Sequence, residues 1–528
     1  MKKLLLVCCC FLSFTGMVAA QTITYSKDIA PIIYNHCTTC HRPGEVAPFS
    51  LTNYDEVVSW SSMIAYVTEI GYMPPWKAEV GYQEYQQENH LTADQVQLIA
   101  DWVAQGMVQG NPADEPALPV FPVGSQVGLP DLVVSFAQSY THAGDGMDEY
   151  RYFVIPTGLT EDKDLVALEV RPGNKQIVHH CLVWQDTSGT AAADDAAAPG
   201  YGYPGGQFST LNGLNDQLPG YVPGQKPIVF TQGIAQRLYA NSDLKLQMHY
   251  APTASDEQDS SSVNLFFAQK PATRFLKSKV MIPFAGTLTN GPFIIPANQV
   301  KKFHGTWTIP EDASMVGVQP HCHKLGQAWE VFAITPNQDT INMVRVNDWD
   351  FNWQGMFYFK KLIPLPKNSV IHAYATYDNT ANNVENPNSP PQFVTWGENT
   401  DNEMYYLPLL YLSYQPGDED LVLDDVSGVG DDPQFYTIQD ALYPVLSPNP
   451  ASDQVKVGFT LARGSTIGLR LFNQQGQIVR SWETGQFYLP GMHTRALDLS
   501  LVPAGIYTLV LETKDKRHAQ QLVVASAR

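Results

Sequence analysis

The sequence is short of cysteine, of basic residues and of long apolar runs. Seven cysteines among 528 residues exclude a dense disulfide framework of the kind that stabilises small secreted domains. Lys and Arg total 32 against 52 Asp and Glu, and the net charge of -20 excludes nucleic acid as a partner, because its phosphates would be repelled. The apolar run at residues 4–14 is too short to span a bilayer. Hydrophobic residues still make up 44%, so the chain has material for several packed cores.

A targeting segment occupies residues 1–20. Lys2 and Lys3 precede the apolar run, and Val18-Ala19-Ala20 supplies the small residues that signal peptidase requires. Cleavage after Ala20 removes two lysines and three of the cysteines, which leaves 30 basic residues and a net charge of -22. The mature chain is therefore expected to be exported and to contain no transmembrane segment.

Two kinds of secondary structure follow the targeting segment. Thr92-Ala93-Asp94-Gln95 is a capping-box pattern that opens a run with helical spacing, so residues 22–112 are predicted to form a small α-helical domain. Residues 131–430 alternate apolar and polar side chains between turn clusters, which predicts strands. Because this segment is longer than one small β-sandwich domain, two β-sandwiches are expected, at residues 131–285 and 286–430.

The remaining segments are two linkers, a loop and a third β unit. Residues 113–130 are rich in proline and residues 431–442 belong to an acidic stretch, so a linker is predicted at each place. The Ala- and Gly-rich sequence at residues 188–206 is expected to be a surface loop. Residues 443–528 alternate in short strands and predict a small β-sandwich. The predicted fold class is therefore mainly β.

The segment Cys37-Thr38-Thr39-Cys40-His41 is the c-type haem attachment motif. Two thiols one helical turn apart can add to the haem vinyl groups, and the adjacent imidazole can bind the iron. A structural zinc site would need two further ligands nearby, and a thioredoxin-like redox pair would need a βαβ setting that the flanking sequence lacks. Residues 22–112 resemble a small class I cytochrome c, which implies one covalently bound haem c on Cys37, Cys40 and His41.

The distal haem ligand has two candidates. Met73, in the rigid segment Gly71-Tyr72-Met73-Pro74-Pro75-Trp76, matches the axial methionine of the cytochrome family, and His90 is the alternative. Met63 is expected in the helical core. Ligation by methionine and histidine raises the reduction potential and is typical of an electron carrier that does not bind oxygen.

Five histidines and one methionine in the β region have the residue types and spacing of metal ligands: His179, His180, His249, His321, His323 and Met404. The His321-Cys322-His323 segment, if it lies on a strand, places both imidazoles on one face and the thiol on the other. The neighbours His179 and His180 can share a metal only at a strand end or a β-bulge, because successive side chains on a regular strand diverge. Imidazole and thioether ligands favour copper.

These motifs resemble the type II copper, ascorbate-dependent monooxygenases, the family of peptidylglycine α-hydroxylating and dopamine β-monooxygenases. The resemblance is carried by Val178-His179-His180, Leu246-Gln247-Met248-His249-Tyr250, His321-Cys322-His323-Lys324-Leu325-Gly326 and Glu403-Met404, in family order, over residues 130–430. It implies two jelly-roll-like copper domains. It also implies that His179, His180 and His249 hold an electron-storing copper, and that the catalytic set His321, His323 and Met404 holds an oxygen-activating copper.

The resemblance implies hydroxylation of a C–H bond of a small organic substrate by O2. Electrons would reach the coppers through the cytochrome domain, from an envelope donor or an ascorbate-like reductant. The alternative is a cell-surface protein without catalytic activity that transfers electrons through haem and copper or holds copper. Gln319 and Tyr406 stand where the peptide enzyme of the family carries substrate-binding residues, which argues against a peptidyl-glycine substrate.

Two cysteines adjoin the predicted copper ligands. Cys181 follows His180, and Cys322 lies between His321 and His323. A disulfide between them would require the two copper sites to touch, so two free thiols are expected.

The last residues resemble a type IX secretion sorting domain. Leu446-Ser447-Pro448-Asn449-Pro450 opens the segment, and Gly505-Ile506-Tyr507-Thr508-Leu509 forms its late strand. The resemblance implies that the type IX secretion machinery is a partner, that the protein is secreted or placed at the cell surface, and that the domain is disposable.

Overall fold

The computed structural model describes residues 22–119, 125–128, 130–205, 217–231, 233–284, 286–423, 445–447, 451–461, 465–473, 475, 477–488, 491–513 and 517–525. Strands hold 41% of the chain and helices 12%, which confirms the prediction of a mainly β protein. The predicted targeting segment and the 431–442 linker lie outside the described residues, as does part of the 113–130 linker.

The chain divides into two compact units. The first unit contains the described residues of Met1–Arg42 together with Phe49–Pro74 and His90–Pro119. The second contains Pro43–Pro48, Pro75–Asn89 and the described residues of Val120–Arg528. The range 22–112, predicted as one helical domain, is therefore shared between the units.

The first unit is helical. Its helices are α1 (Ala30–His36), α2 (Tyr54–Glu69) and α3 (Ala93–Ala104), with a π-helical turn at Tyr25–Ile29 and a 3-10 turn at Pro112–Asp114. The predicted capping box is confirmed, because the Thr92 hydroxyl accepts from the Gln95 amide and the Gln95 side chain accepts from the Thr92 amide. Ile99 and Trp102 of α3 are buried in the core of this unit.

The first sandwich of the second unit has two five-stranded sheets. Their strand orders are β1-β11-β4-β8-β12 and β6-β3-β9-β5-β7. The strands are β1 (Leu132–Ser135), β2 (Tyr140–His142), β3 (Glu149–Pro156), β4 (Lys163–Arg171), β5 (Val178–Asp186), β6 (Tyr203–Pro204), β7 (Gln217–Tyr221), β8 (Ile234–Leu238), β9 (Asp243–Tyr250), β10 (Glu257–Asp259), β11 (Ser262–Phe267) and β12 (Arg274–Phe275). Leu244, Leu246 and Met248 of β9 pack in the core between the sheets, so the alternate residue His249 lies on the opposite face.

The second sandwich has two four-stranded sheets, β13-β22-β16-β19 and β15-β20-β17-β18. Its strands are β13 (Lys277–Met281), β14 (Ile294–Ile295), β15 (Gln299–Thr308), β16 (Ala313–Val318), β17 (Gly326–Ile334), β18 (Thr340–Val346), β19 (Phe357–Leu365), β20 (Val370–Asn379), β21 (Val394–Thr395) and β22 (Leu407–Ser413). A 3-10 turn follows at Asp418–Asp420. Strand β20 alternates between buried and partly exposed residues along its whole length, as the sequence pattern predicts.

Two boundaries differ from the sequence expectations. Strand β13 pairs with β22, so the second sandwich begins before residue 285. Only Leu276 separates β12 from β13, so the two sandwiches are joined without a linker that a sequence pattern could reveal. The expected surface loop at 188–206 contains helix α4 (Thr190–Ala197), because its alanines favour a helix.

The C-terminal residues form a third β-sandwich with sheets β23-β24-β27 and β26-β25-β28-β29. The strands are β23 (Val445–Ser447), β24 (Gln454–Leu461), β25 (Ser465–Phe472), β26 (Ile478–Tyr488), β27 (Gly491–Asp498), β28 (Gly505–Glu512) and β29 (Arg517–Val524). Phe459, Leu469 and Leu509 are buried in its own hydrophobic core.

Candidate metal centre

Three histidines of the first sandwich converge on one point. His179 and His180 lie on β5, and His180 pairs across the ladder with His249 of β9. The register of the two strands shifts between Val178 and His180, so both neighbouring histidines turn toward His249, as predicted for a bulge. The Nδ1 atom of His180 lies 3.2 Å from that of His179 and 3.4 Å from that of His249. One nitrogen from each ring lies within 4.8 Å of the other two.

The surroundings orient these imidazoles for a cation. Asp148 Oδ1 lies 2.8 Å from His249 Nε2, so a proton on Nε2 leaves the Nδ1 lone pair directed at the other two rings. Tyr150 stacks on His249 at a centroid distance of 4.2 Å and holds the ring in this plane. Burial lowers the pKa of His179 to about 4 and lowers the pKa of His249, and the neutral imidazole is the form that binds metals.

The donor set fits a metal with nitrogen ligands. The three Nδ1 atoms lie close together in a buried space, where a neutral imidazole whose proton is on Nε2 directs its Nδ1 lone pair at a shared cation. Three imidazoles without a carboxylate cage suit copper or zinc better than calcium or magnesium.

The second histidine pair follows β16 in the second sandwich. His321 and His323 have ring centroids 5.3 Å apart and planes at 89°. The expectation that this segment is a regular strand is wrong: β16 ends at Val318, and a single bridge joins His321 to Tyr406. Pro320 has no N–H for a ladder, so the strand cannot continue through it.

Cys322 faces away from the two imidazoles, as predicted. Its side chain is fully buried in the core of the second sandwich, and its sulfur accepts a hydrogen bond of 3.2 Å from Trp329 Nε1. Cys181 is buried in the core of the first sandwich. Both are free thiols in the structure.

Glu403 fixes the geometry of the second pair. Its carboxylate is fully buried, and Oε2 accepts from the backbone amides of His323 and Met404, each at 2.8 Å. Oε1 accepts from the amide of Leu325 at 2.8 Å. Burial raises the pKa of Glu403 to about 8 and the backbone N–H donors oppose that rise. One side chain therefore ties the His-x-His segment to the methionine segment.

Met404 is placed beside His323 through this carboxylate. The Met404 carbonyl accepts from the Tyr377 hydroxyl at 2.8 Å, which fixes the backbone from the other side. His323 Nδ1 lies 3.2 Å from the carbonyl oxygen of Asn402, and when it donates there Nε2 keeps its lone pair for a metal.

The two histidine sets adjoin each other. The rings of His180 and His321 have centroids 6.5 Å apart. Phe351, from the segment before β19, stacks on His179 at 5.7 Å and lies 5.8 Å from His323. Cys181 and Cys322 nevertheless remain apart, because each points into the core of its own sandwich.

Hydrogen-bonded side chains lie close to His321, whose ring is 5.9 Å from that of Tyr406. The Tyr406 hydroxyl donates to Gln217 Oε1 at 2.9 Å, and the Gln319 side-chain amide donates to the Gln354 carbonyl at 3.2 Å. A small cavity of about 50 Å³ is lined by Gln217, Gln319 and Tyr358, among others. Gln319, which the sequence analysis placed at a substrate-binding position of the resembled family, lines this cavity. Gln217 also lines it and was not among the residues singled out from the sequence.

The haem motif of the first unit has the local geometry that attachment requires. The amides of Cys40 and His41 both donate to the Cys37 carbonyl, so the two thiols lie one turn apart directly after α1. His41 Nδ1 lies 3.1 Å from the Phe49 carbonyl oxygen, and donation there leaves Nε2 free for the iron. These residues therefore fit a covalently bound haem.

Apolar side chains near this motif are exposed. Phe49 stacks on Trp60 of α2 at 4.1 Å, and Trp60 is 40% exposed. Met63, expected in the core, is 50% exposed on the same helix. Met73 and His90, the two candidates for the distal ligand, both belong to this unit.

Comparison with known proteins identifies the C-terminal domain. Residues 445–525 match the family model described as a secretion system C-terminal sorting domain. This match confirms the predicted sorting domain, and it indicates export to a secreted or cell-surface location by the type IX machinery. No curated protein matches the chain. Among the described residues, no helix is long and apolar enough to cross a membrane.

Solved structures resemble the chain only weakly. The β-glucuronidase of Ruminococcus gnavus aligns over 49% of this chain and 46% of its own, with 8% identity and a TM-score of 0.14. The β-glucuronidase of Dictyoglomus thermophilum aligns with 10% identity over 50% of this chain and 46% of its own, with a TM-score of 0.13. The VP2 subviral particle of infectious bursal disease virus aligns over 57% of this chain and 77% of its own, with 9% identity and a TM-score of 0.16. The chain spans less than half the length of these glucuronidases.

Proposed function

We propose that this exported protein is a copper- and haem-dependent monooxygenase that hydroxylates a C–H bond of a small organic substrate. The observation that carries the proposal is the convergence of the His179, His180 and His249 nitrogens within 4.8 Å, next to a second pair of buried histidines. Neutral imidazoles and a thioether are the ligands that copper prefers when it changes between two oxidation states.

The residues divide into two copper sets and one haem set. His179, His180 and His249 would hold one copper, and His321, His323 and Met404 the other. Cys37, Cys40 and His41 would hold one haem c, with Met73 as distal ligand and His90 as the alternative. When bound, copper would supply one-electron chemistry toward O2, and haem would supply electron transfer to the coppers.

The chain's own groups orient these ligands and exclude water. Asp148 fixes the ring of His249, and Glu403 fixes the backbone of His323 and Met404. Phe351 covers the imidazoles of both sets. The overall reaction converts C–H, O2, two electrons and two protons into C–OH and water, so it needs a reductant, which we propose is an envelope electron donor or an ascorbate-like compound.

The second candidate function is a cell-surface protein that carries electrons or holds copper without catalysis. The observation that favours it is burial: His180 is 3% exposed and His323 is 1% exposed, which leaves a substrate little access. Both functions predict two coppers and one haem, so metal content does not separate them.

An oxygen-labelling experiment separates the two functions. Copper-loaded protein with a reductant is incubated with ¹⁸O₂ and a mixture of small metabolites, and the products are analysed by mass spectrometry. Incorporation of one labelled oxygen atom into a product, with matching O2 consumption, supports the monooxygenase. Copper and haem that are reduced and reoxidised with no labelled organic product support the electron carrier and contradict the monooxygenase.

Asp148→Asn is expected to weaken copper at the first set by about 10–100-fold, the usual effect of losing a ligand's hydrogen-bonded carboxylate. The amide still reaches His249 but no longer favours the proton on Nε2 so strongly. Asp145→Asn, an exposed residue of the same loop, is the control, with competitive chelator titration as the measurement. Equal copper affinity of the two variants would contradict the role given to Asp148.

A further inference from the structure

We infer that residues 75–89, the anchor segment, tie the distal haem ligand Met73 to the second sandwich, so that ligation of the haem depends on that sandwich. The anchor segment belongs to the second unit, whereas the residues on both sides of it belong to the first. The chain leaves the first unit after Pro74, directly beyond Met73, and returns to it at His90. The inference rests on the proposed function, because it requires a bound haem c with Met73 on the iron.

The anchor segment is part of the core of the second sandwich. Ala78 and Tyr85 are each 3% exposed and belong to the hydrophobic core of that sandwich. The Trp76 ring packs edge-on against Phe357 with a centroid distance of 5.6 Å, and it lies 5.8 Å from the ring of Tyr85. Release of the segment would expose these rings to water, so it stays packed as long as the sandwich is folded.

Backbone hydrogen bonds attach the anchor segment to the edge of one sheet. The Gln86 amide donates to the Tyr358 carbonyl at 2.8 Å, and the Lys360 amide donates to the Glu84 carbonyl at 3.0 Å. Strand β19, which carries both of these partners, is the edge strand of the sheet β13-β22-β16-β19. The segment therefore occupies an edge whose backbone groups need partners.

The anchor segment also binds the edge of the facing sheet. The Tyr85 hydroxyl donates to the Met343 carbonyl at 2.8 Å, and the Glu79 amide donates to the Arg345 carbonyl at 2.7 Å. Met343 and Arg345 lie on β18, the edge strand of the sheet β15-β20-β17-β18. Because the segment joins both sheets of the sandwich, it cannot shift without breaking contacts to each of them.

The connection from the anchor segment to Met73 is short and stiff. Only Pro74 and Pro75 separate Met73 from Trp76, and proline fixes its own φ and restricts the residue before it. On its other side Met73 is held by α2, because its amide donates to the Val67 carbonyl at 3.0 Å.

This double attachment matters for a thioether ligand. An uncharged thioether is a weak donor of electrons to a partner, so it depends on the chain to keep it in place. Release of the anchor segment would leave Met73 attached by α2 alone and free to leave the iron. The high reduction potential that methionine ligation gives would then be present only when the second sandwich is folded.

Optical spectra and reduction potentials of the full chain with its haem attached test the inference. Tyr85→Ala removes a ring from the core and a hydrogen bond to β18. We expect it to lose the weak red absorption band of methionine-ligated ferric haem and to lower the reduction potential. Tyr85→Phe keeps the ring and should keep the band. Leu365→Ala, at the last residue of β19 in the same core, should destabilise the sandwich and leave the band unchanged.

A second variant covers a folding failure of Tyr85→Ala, which circular dichroism would detect. Insertion of two glycines between Pro75 and Trp76 loosens the connection and leaves the packing of the anchor segment and of α2 intact. This variant should also lose the red band, because the added residues remove the stiffness of the two prolines.

The outcomes separate this inference from the function beneath it. A red band that persists in both Tyr85→Ala and the glycine insertion, or that is lost equally in Leu365→Ala, overturns the anchor and leaves the proposed function standing. A bis-histidine spectrum of the unaltered protein also overturns the anchor and assigns the distal position to His90. Purified protein without covalently attached haem overturns both the anchor and the haem set of the proposed function.

Discussion

Replacement of His321 by alanine is expected to lower hydroxylation by more than about 100-fold while the haem remains attached and reducible. Loss of a carboxylate that only supports a ligand already costs about 10–100-fold in metal affinity or activity, and His321 is itself a proposed ligand. The haem motif lies in the other unit of the chain, so its chemistry does not depend on this side chain. The measurements are the rate of ¹⁸O incorporation and the reduced haem spectrum of the same sample.

Two further variants make the His321→Ala result specific. His304→Ala removes a partly exposed histidine of β15 in the same sandwich and should leave hydroxylation unchanged. Met404→Ala should lower hydroxylation without unfolding the protein, because Glu403 and Tyr377 hold Met404 through its backbone. Hydroxylation that persists in both His321→Ala and Met404→Ala would contradict the assignment of the oxygen-activating set.

The candidate ligand residues, and the local direction of their side chains, could be predicted from the sequence. His179 and His180 were expected to share a metal only at a strand end or a β-bulge, because neighbouring side chains on a regular strand diverge, and the strand register shifts between Val178 and His180. Cys322 was expected to face away from the neighbouring histidines, and it does so although its segment is not a strand. The alternation of side-chain directions along the chain was sufficient for both predictions, because each orientation depends only on neighbouring residues.

The residues that support the ligands could not be predicted from the sequence by the same local patterns. Asp148, Phe351 and Glu403 reach the histidines through turns and strand pairings far apart in the chain. Glu403 stands directly before Met404, and an acidic residue beside a buried ligand was the one signal that could have suggested it. The proximity of the two sets also depends on tertiary packing between sandwiches, which strand periodicity cannot predict.

Glu403→Ala is expected to lower the stability of the second sandwich by about 4 kcal/mol. Each buried backbone N–H left without an acceptor costs about 1–3 kcal/mol, and the alanine would orphan the amides of His323, Leu325 and Met404. In a domain of this size that loss lowers the midpoint of thermal unfolding by about 8–16 °C. Differential scanning calorimetry measures the effect.

Glu403→Gln should cost much less, because it keeps one acceptor oxygen and resembles the protonated acid that a raised pKa favours. Glu385→Ala, at an exposed position of the same sandwich, should shift the midpoint by less than about 2 °C. If Glu403→Ala unfolds at the same temperature as Glu385→Ala, the carboxylate does not hold the segment, because three buried amides cannot lose their acceptor without a loss of stability.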